Sequence, residues 1–153
     1  MRIYLASLGT ELGNGGRLKN IYNNDMKLFL AGNDGFRKKR FEIFLNDLFI
    51  LESYHYIIKQ DWMFPLLKEF KGFLLDSGAF TFMTSLKGKS INWNEYVINY
   101  GNFVKQHDIK HFFELDIDPI VGLKEVERLR DLLEKTAERK CIPVWHKSRG
   151  LNY

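Results

Sequence analysis

Short apolar runs alternate along this chain with longer segments in which apolar residues recur at every third or fourth position. Runs of four to six residues are typical of strands, whereas the longer spacing is typical of helices with one buried face. Five runs predict strands, at residues 2–6, 49–54, 73–76, 112–116 and 141–146, and residues 26–31 are a further candidate. The apolar pattern therefore predicts a sheet built from short strands.

Helical spacing predicts helices at residues 62–70, 92–106 and 121–138. In the middle segment Val97, Tyr100 and Val104 share one face, Asn92 is the predicted N-cap, and Glu95 follows it by three residues. From residue 49 onward the order is strand, helix, strand, helix, strand, helix, strand. Such alternation favours an α/β fold with a parallel sheet and covering helices.

Polar side chains stand at the carboxyl ends of three predicted strands: Asp76, Asp116 and His146. Ligands of α/β proteins bind at this end of the strands, whether the sheet is open or closed into a barrel. The convergence of the three residues predicts a binding site there, and it carries more weight than any one of them.

Composition and charge narrow the class of protein only a little. The 153 residues predict a single domain, 1–153, and a formal net charge of +4 leaves nucleic-acid contact as open as its absence. The single cysteine, Cys141, cannot form an internal disulfide and fits a reducing cytoplasm. No apolar run approaches the roughly 20 residues that a bilayer-spanning helix needs, so we expect a cytoplasmic protein without membrane contact.

Each local motif also has an ordinary structural interpretation. Asp76, Ser77 and Gly78 are typical turn residues, although the apolar residues that follow at once favour a site. Lys147 and Arg149 follow His146 and suit either an anionic ligand or a solvated loop. The glycine-rich residues 9–17 match no phosphate-binding spacing, and the basic residues 37–40 suit a solvated face or a nucleic-acid backbone.

A metal site is the further alternative. In the segment FFELDID, alternation places Glu114, Asp116 and Asp118 on one face of an extended chain, where three carboxylates would suit a hard divalent cation. Pro119 disfavours continuation of the strand and favours a turn at Asp118. One cysteine excludes a cysteine-rich zinc site within the chain.

Three motifs in order, LLDSGAFTF, FFELDID and CIPVWHKSRG, resemble the tRNA-guanine (queuine) transglycosylase superfamily, in particular its phage-type members that act on 7-deazaguanine bases. The resemblance runs from about residue 49 onward and implies a TIM-type barrel. The chain would form its N-terminal portion, with roughly five parallel strands and covering helices. It also implies exchange of guanine for a deazaguanine in nucleic acid by double displacement, with no cofactor and no metal.

The family motif of Asp-Ser-Gly-Gly and an aromatic residue is matched here except at Ala79. The resemblance implies that Asp76 is catalytic, contacting the base edge and transferring its proton, and that Phe80 stacks on the base. It gives base-binding roles to Ser77, Gly78, Phe80, Asp116 and His146. Lys147 and Arg149 would contact phosphate or nucleic acid.

The family's nucleophilic aspartate lies on a later strand, and no residue of this chain takes that role. Base exchange, a pentosyltransferase reaction, is therefore expected only if the chain is part of a longer protein. The alternative is a non-catalytic, shortened barrel that binds nucleic acid or protein. Its exposed strand edges predict pairing with a second copy or with a partner that completes the barrel. The sequence leaves open whether the nucleic acid is DNA or RNA.

Overall fold

A computed structural model describes residues 2–7, 26–31, 45–79, 81, 91–146 and 149. The fold is mixed α/β, with strands of five or six residues and one of two. The strands are β1 (Arg2–Ser7), β2 (Met26–Ala31), β3 (Phe49–Ser53), β4 (Gly72–Asp76) and β5 (His111–Phe112). The α-helices are α1 (Tyr54–Ile57), α2 (Trp93–Gln106), α3 (Asp118–Val121) and α4 (Leu123–Ala137). Short 3-10 helices occupy Leu45–Asp47 and Asp61–Leu66.

The chain divides into two compact units: Met1–Glu52 with Ile57–Leu74, and Ser53–Tyr56 with Leu75–Tyr153. In the first unit β1 and β2 pair in parallel from Arg2 opposite Met26 to Ser7 opposite Ala31. The β2–β3 pair is also parallel, with Leu30 opposite Ile50. The candidate strand at residues 26–31 and the parallel arrangement are thereby confirmed.

Phe49 is central to packing in the first unit. Its ring meets the edge of Phe29 with 5.3 Å between ring centroids, and the ammonium of Lys71 lies 5.7 Å from its centroid. A Cβ atom at Gly72 would lie 2.4 Å from Cδ1 of Phe49, so the absence of a side chain at Gly72 makes room for the ring. Aromatic packing and one glycine thus bring β3 and the start of β4 together.

The predicted helix at residues 62–70 is corrected to the 3-10 helix Asp61–Leu66. Backbone hydrogen bonds join residues three apart, from Met63 N to Gln60 O at 2.9 Å and from Glu69 N to Leu66 O at 3.0 Å. Pro65 has no N–H to donate, which disfavours a continuous α-helix through this segment.

In the second unit, α2 begins where the sequence predicted, and the side chain of Asn92 accepts a hydrogen bond from Glu95 N at 3.2 Å. Val97, Tyr100 and Val104 are buried as predicted. The helix packs on α4 at Gly101, where a Cβ atom would lie 2.8 Å from Cβ of Thr136. The predicted helix at residues 121–138 begins only at residue 123, because Gly122, with φ 80°, separates it from the short α3.

Three chain segments lie side by side in the second unit. Phe113 N donates to Leu75 O of β4 at 2.9 Å, and Ile142 N donates to Phe112 O of β5 at 2.8 Å. The predicted strand at residues 141–146 is corrected to a single parallel bridge between Ile142 and Phe113. Pro143 has no N–H, and Val144 N donates to the side chain of Glu114 instead of to a neighbouring strand. The predicted strand at residues 112–116 is likewise corrected, to the two-residue strand β5 and the bridge at Phe113.

Among the described residues, no helix combines the length and apolar character needed to cross a membrane.

Candidate functional site

Asp76 ends β4 and begins a tight turn. Its Oδ2 accepts a hydrogen bond from Gly78 N at 2.8 Å, and Oγ of Ser77 accepts one from Ala79 N at 3.4 Å. Ser77 is buried, whereas Asp76 remains partly exposed. The turn and the site are therefore not alternatives, because the turn fixes the carboxylate at the end of a strand.

Gly78 is required by both its backbone and its surroundings. Its φ of 78° lies in the left-handed region, and a Cβ atom there would lie 2.8 Å from Cβ of His55 and 2.9 Å from Oγ of Ser53. Both residues belong to the same compact unit as Gly78. A side chain at Gly78 would therefore strain the turn and displace its neighbours.

We predict that Gly78→Ala lowers the free energy of unfolding by about 1–3 kcal/mol, from backbone strain and the clash with His55 and Ser53. Urea denaturation measures this loss. Gly122→Ala serves as a comparison for backbone strain alone, since Gly122 also has a positive φ, 80°, but no atom lies within 4 Å of a Cβ placed there. No loss of stability in Gly78→Ala would contradict both the strain and the close contact at Gly78.

The carboxyl group of Asp76 is a better proton acceptor than an ordinary aspartate. Burial raises its pKa, the amide of Gly78 lowers it, the charge of Asp116 raises it, and the amide of Ser77 lowers it; the balance is upward. A carboxyl group with a raised pKa in a ligand site is suited to acid–base chemistry.

Two tyrosines of α2 fix the backbone around Asp76. The hydroxyl of Tyr96 donates to Ser77 O at 2.6 Å, and the hydroxyl of Tyr100 is within hydrogen-bonding distance of Phe113 O at 3.0 Å and Leu75 O at 3.3 Å. Burial is the main cause that raises the pKa of both phenols, which keeps them protonated as donors. The sequence predicted Tyr100 on the buried face of this helix but not this role for its hydroxyl. A buried tyrosine hydroxyl needs a hydrogen-bond partner, and that need was the available signal.

Asp116, whose charge raises the pKa of Asp76, forms a pair with His146. Nε2 of His146 lies 2.6 Å from Oδ1 of Asp116, and both side chains are about a third exposed, at 34% and 35%. A carboxylate on one ring nitrogen orients the imidazole and leaves Nδ1 for another partner. The structure thus brings together the two later strand-end residues that the sequence predicted.

Glu114 is buried, whereas this pair is partly exposed. Its carboxylate is fully buried, lies 2.7 Å from Nη1 of Arg149 and 3.1 Å from Nε of Arg130, and accepts from Val144 N at 2.8 Å. The three predicted carboxylates therefore do not share one exposed face. Glu114 contributes to the ion pairs beneath the site.

Arg149 has internal contacts in place of the phosphate contact predicted for it. Its side chain is only 1% exposed; Nε donates to Oδ2 of Asp118 at 2.6 Å, and Nη2 donates to Oδ1 of the same residue. Burial raises the pKa of Asp118, but the hydrogen bonds and charge of Arg149 outweigh it and lower the pKa overall. The arginine is thereby part of the framework of the site.

A second grouping of the same residues could hold a cation. One ligand atom each from Asp116, Asp118 and His146 lies within 4.8 Å of the other two. Two carboxylates and an imidazole suit a divalent transition metal better than magnesium. The sequence predicted Asp116 and Asp118 in this role but placed Glu114 where the structure has His146.

Several predicted features lie outside the described residues. These are Phe80 with its stacking role, Lys147 with its phosphate contact, the glycine-rich residues 9–17 and the basic residues 37–40. Their roles stay predictions.

Comparison with known proteins gives no relative from which a function could be transferred. No family model, no curated protein and no solved structure matches the chain significantly.

Proposed function

We propose that this chain binds a guanine or 7-deazaguanine base through Asp76, beside the Asp116–His146 pair, as part of a transglycosylase-like base-exchange site. The observation that carries the proposal is the partly exposed carboxyl group of Asp76, which the Gly78 amide fixes at the end of β4 and whose pKa is raised by burial and by the charge of Asp116, the partner of His146. The three residues come from chain segments that lie side by side in one unit.

The chemistry of guanine fits such a site. An ionised carboxylate has two oxygens that can accept from the adjacent N–H donors of the guanine edge, N1–H and the exocyclic amine. Adenine has an acceptor at N1 and cannot make this pair of bonds. 7-Deazaguanine keeps both donors and differs only at position 7, so it should bind Asp76 in the same manner.

The raised pKa of Asp76 supports a further role in proton transfer. A departing guanine needs a proton, and an incoming base must lose one; a carboxyl group with a pKa nearer neutrality can do both. We propose that the Asp116–His146 pair holds the other side of the base and that Phe80 stacks on it. The exchange also needs a nucleophile, which we assign to no residue of this chain.

The proposal also includes a barrel architecture for the parallel sheet. The pairs β1–β2 and β2–β3 are parallel, and Asp76 stands at the carboxyl end of β4, which is where catalytic residues of TIM-type barrels lie. We propose that the sheet is the N-terminal portion of such a barrel, completed by further chain or by a partner.

Equilibrium dialysis with labelled guanine tests the binding proposal. We expect retention of guanine, displacement by excess 7-deazaguanine, and no displacement by excess adenine. Displacement by both bases alike would contradict recognition through the guanine donor pair.

Incorporation of labelled guanine into DNA or RNA then distinguishes an exchange enzyme from a shortened binding protein. The binding protein would show no incorporation, and its affinity for nucleic acid would fall steeply with salt.

The convergence of Asp116, Asp118 and His146 favours one second candidate, a divalent-cation site serving a metal-dependent reaction. Manganese at about 100 times its dissociation constant would stabilise a binding protein by about 2.7 kcal/mol. If the site binds metal, manganese should raise the Tm of the parent protein and leave that of Asp118→Asn unchanged. If neither manganese nor a chelator changes the Tm of the parent protein, this candidate is excluded.

A further inference from the structure

We propose that Arg149 is a positioning residue that holds the Asp116–His146 pair in its binding geometry without touching the ligand. Its guanidinium contacts Glu114, Asp118 and the carbonyl oxygen of Val144. Glu114 precedes Asp116 by two residues and Asp118 follows it by two, while Val144 precedes His146 by two. One side chain therefore holds the carboxylates on both sides of Asp116 and a backbone carbonyl on the approach to His146.

The contacts use the fork geometry of arginine. Nε and Nη2 donate to the two oxygens of Asp118, and Nη1 donates both to Oε1 of Glu114, at 2.7 Å, and to Val144 O. The three donors of a lysine ammonium share one nitrogen, so they cannot span two separate carboxylates as the planar guanidinium fork does. The positioning role accordingly predicts that Arg149→Lys fails although it keeps the charge.

Burial makes these contacts more than a surface ion pair. The side chains of Arg149 and Glu114 are 1% and 0% exposed, whereas Asp116 and His146 are open to a ligand. Arg149 and Glu114 therefore form a buried support for the site, and Asp116 and His146 form its exposed binding surface. A change at Arg149 should reach the ligand only by moving Asp116 and His146.

The positioning is tested directly by NMR of nitrogen-15-labelled protein, through the signal of the Nε2–H proton of His146. This signal is assigned as the one that changes in Asp116→Asn, which alters the partner of Nε2. Guanine affinity is measured in parallel. We expect Arg149→Ala and Arg149→Lys each to shift or lose this signal and to weaken guanine binding about 10–100-fold, as misplaced binding groups do. Addition of methylguanidinium to Arg149→Ala should restore both readouts in part.

Arg128→Lys is the matched control, because Arg128 pairs with Glu125 on the exposed face of α4 and should leave both readouts unchanged. A Tm loss in the Arg149 variants with an unaltered His146 signal and unaltered affinity would overturn the positioning role. Arg149→Lys decides the question if Arg149→Ala does not fold.

The affinity part of this inference rests on the proposed function, but the His146 signal does not. If the signal changes in the Arg149 variants while the parent protein binds no guanine, the positioning role stands and the proposed function fails. If the parent protein binds guanine and the signal is unchanged in Arg149→Lys, the proposed function stands and the positioning role fails.

Discussion

Asp76→Asn is expected to weaken guanine binding at least about 100-fold while raising the free energy of unfolding at neutral pH by about 0.5–2 kcal/mol. Binding falls because asparagine offers one acceptor where the guanine edge needs two. Stability rises because the substitution removes a charge that burial and Asp116 disfavour, and the amide oxygen of the new side chain can still accept from Gly78 N. Calorimetry measures the affinity, and urea denaturation measures the stability.

The stability gain should depend on pH in a defined direction. Because the pKa of Asp76 is raised on folding, the folded protein binds more protons than the unfolded chain between the ordinary aspartate pKa and the raised one. The stability of the parent protein therefore falls, relative to Asp76→Asn, as pH rises through this window. The difference should be smallest below the ordinary aspartate pKa and complete above the raised one. A difference that is constant with pH would contradict the proposed cause.

Glu114→Gln is expected to lower the free energy of unfolding by about 3–5 kcal/mol. The buried carboxylate faces Arg149 at 2.7 Å and Arg130 at 3.1 Å, and it accepts from Val144 N. A neutral amide at position 114 removes the negative charge that faces both guanidinium groups. Its NH2 group is also a donor that would face the N–H donors of these partners. Urea denaturation measures the loss.

Glu125→Gln is the matched control for this change. Glu125 also pairs with an arginine, Arg128, but both side chains are substantially exposed, so we expect a loss of stability much smaller than that at Glu114. Losses of the same size at positions 114 and 125 would contradict the description of Glu114 as a buried centre of ion pairs.

The features that the sequence predicted correctly are those that depend on residues close together in the chain. The apolar face of α2, its Asn92 cap and the end of β4 at Asp76 follow from the spacing of residues that are close in the chain. Local chemistry also explains two of the errors after the fact, since Gly122 and Pro143 interrupt elements that the apolar pattern alone would continue.

The framework beneath the site could not be predicted in this way. Arg149 reaches Asp118 and Glu114 across 31 and 35 residues, and Tyr100 reaches Leu75 O across 25. Nothing in the sequence near Arg149 distinguishes an arginine that contacts phosphate from one that turns inward to buried carboxylates. That choice depends on where Glu114 lies once β5 has formed.

Calorimetric titration of guanine into the parent protein, Asp76→Asn and Asp131→Asn tests the proposed site most directly, since Asp131 is an exposed aspartate on α4. We predict saturable binding by the parent protein and by Asp131→Asn, with at least about 100-fold weaker binding by Asp76→Asn. Equal affinity in all three proteins, or no binding by the folded parent protein, would contradict base recognition by Asp76.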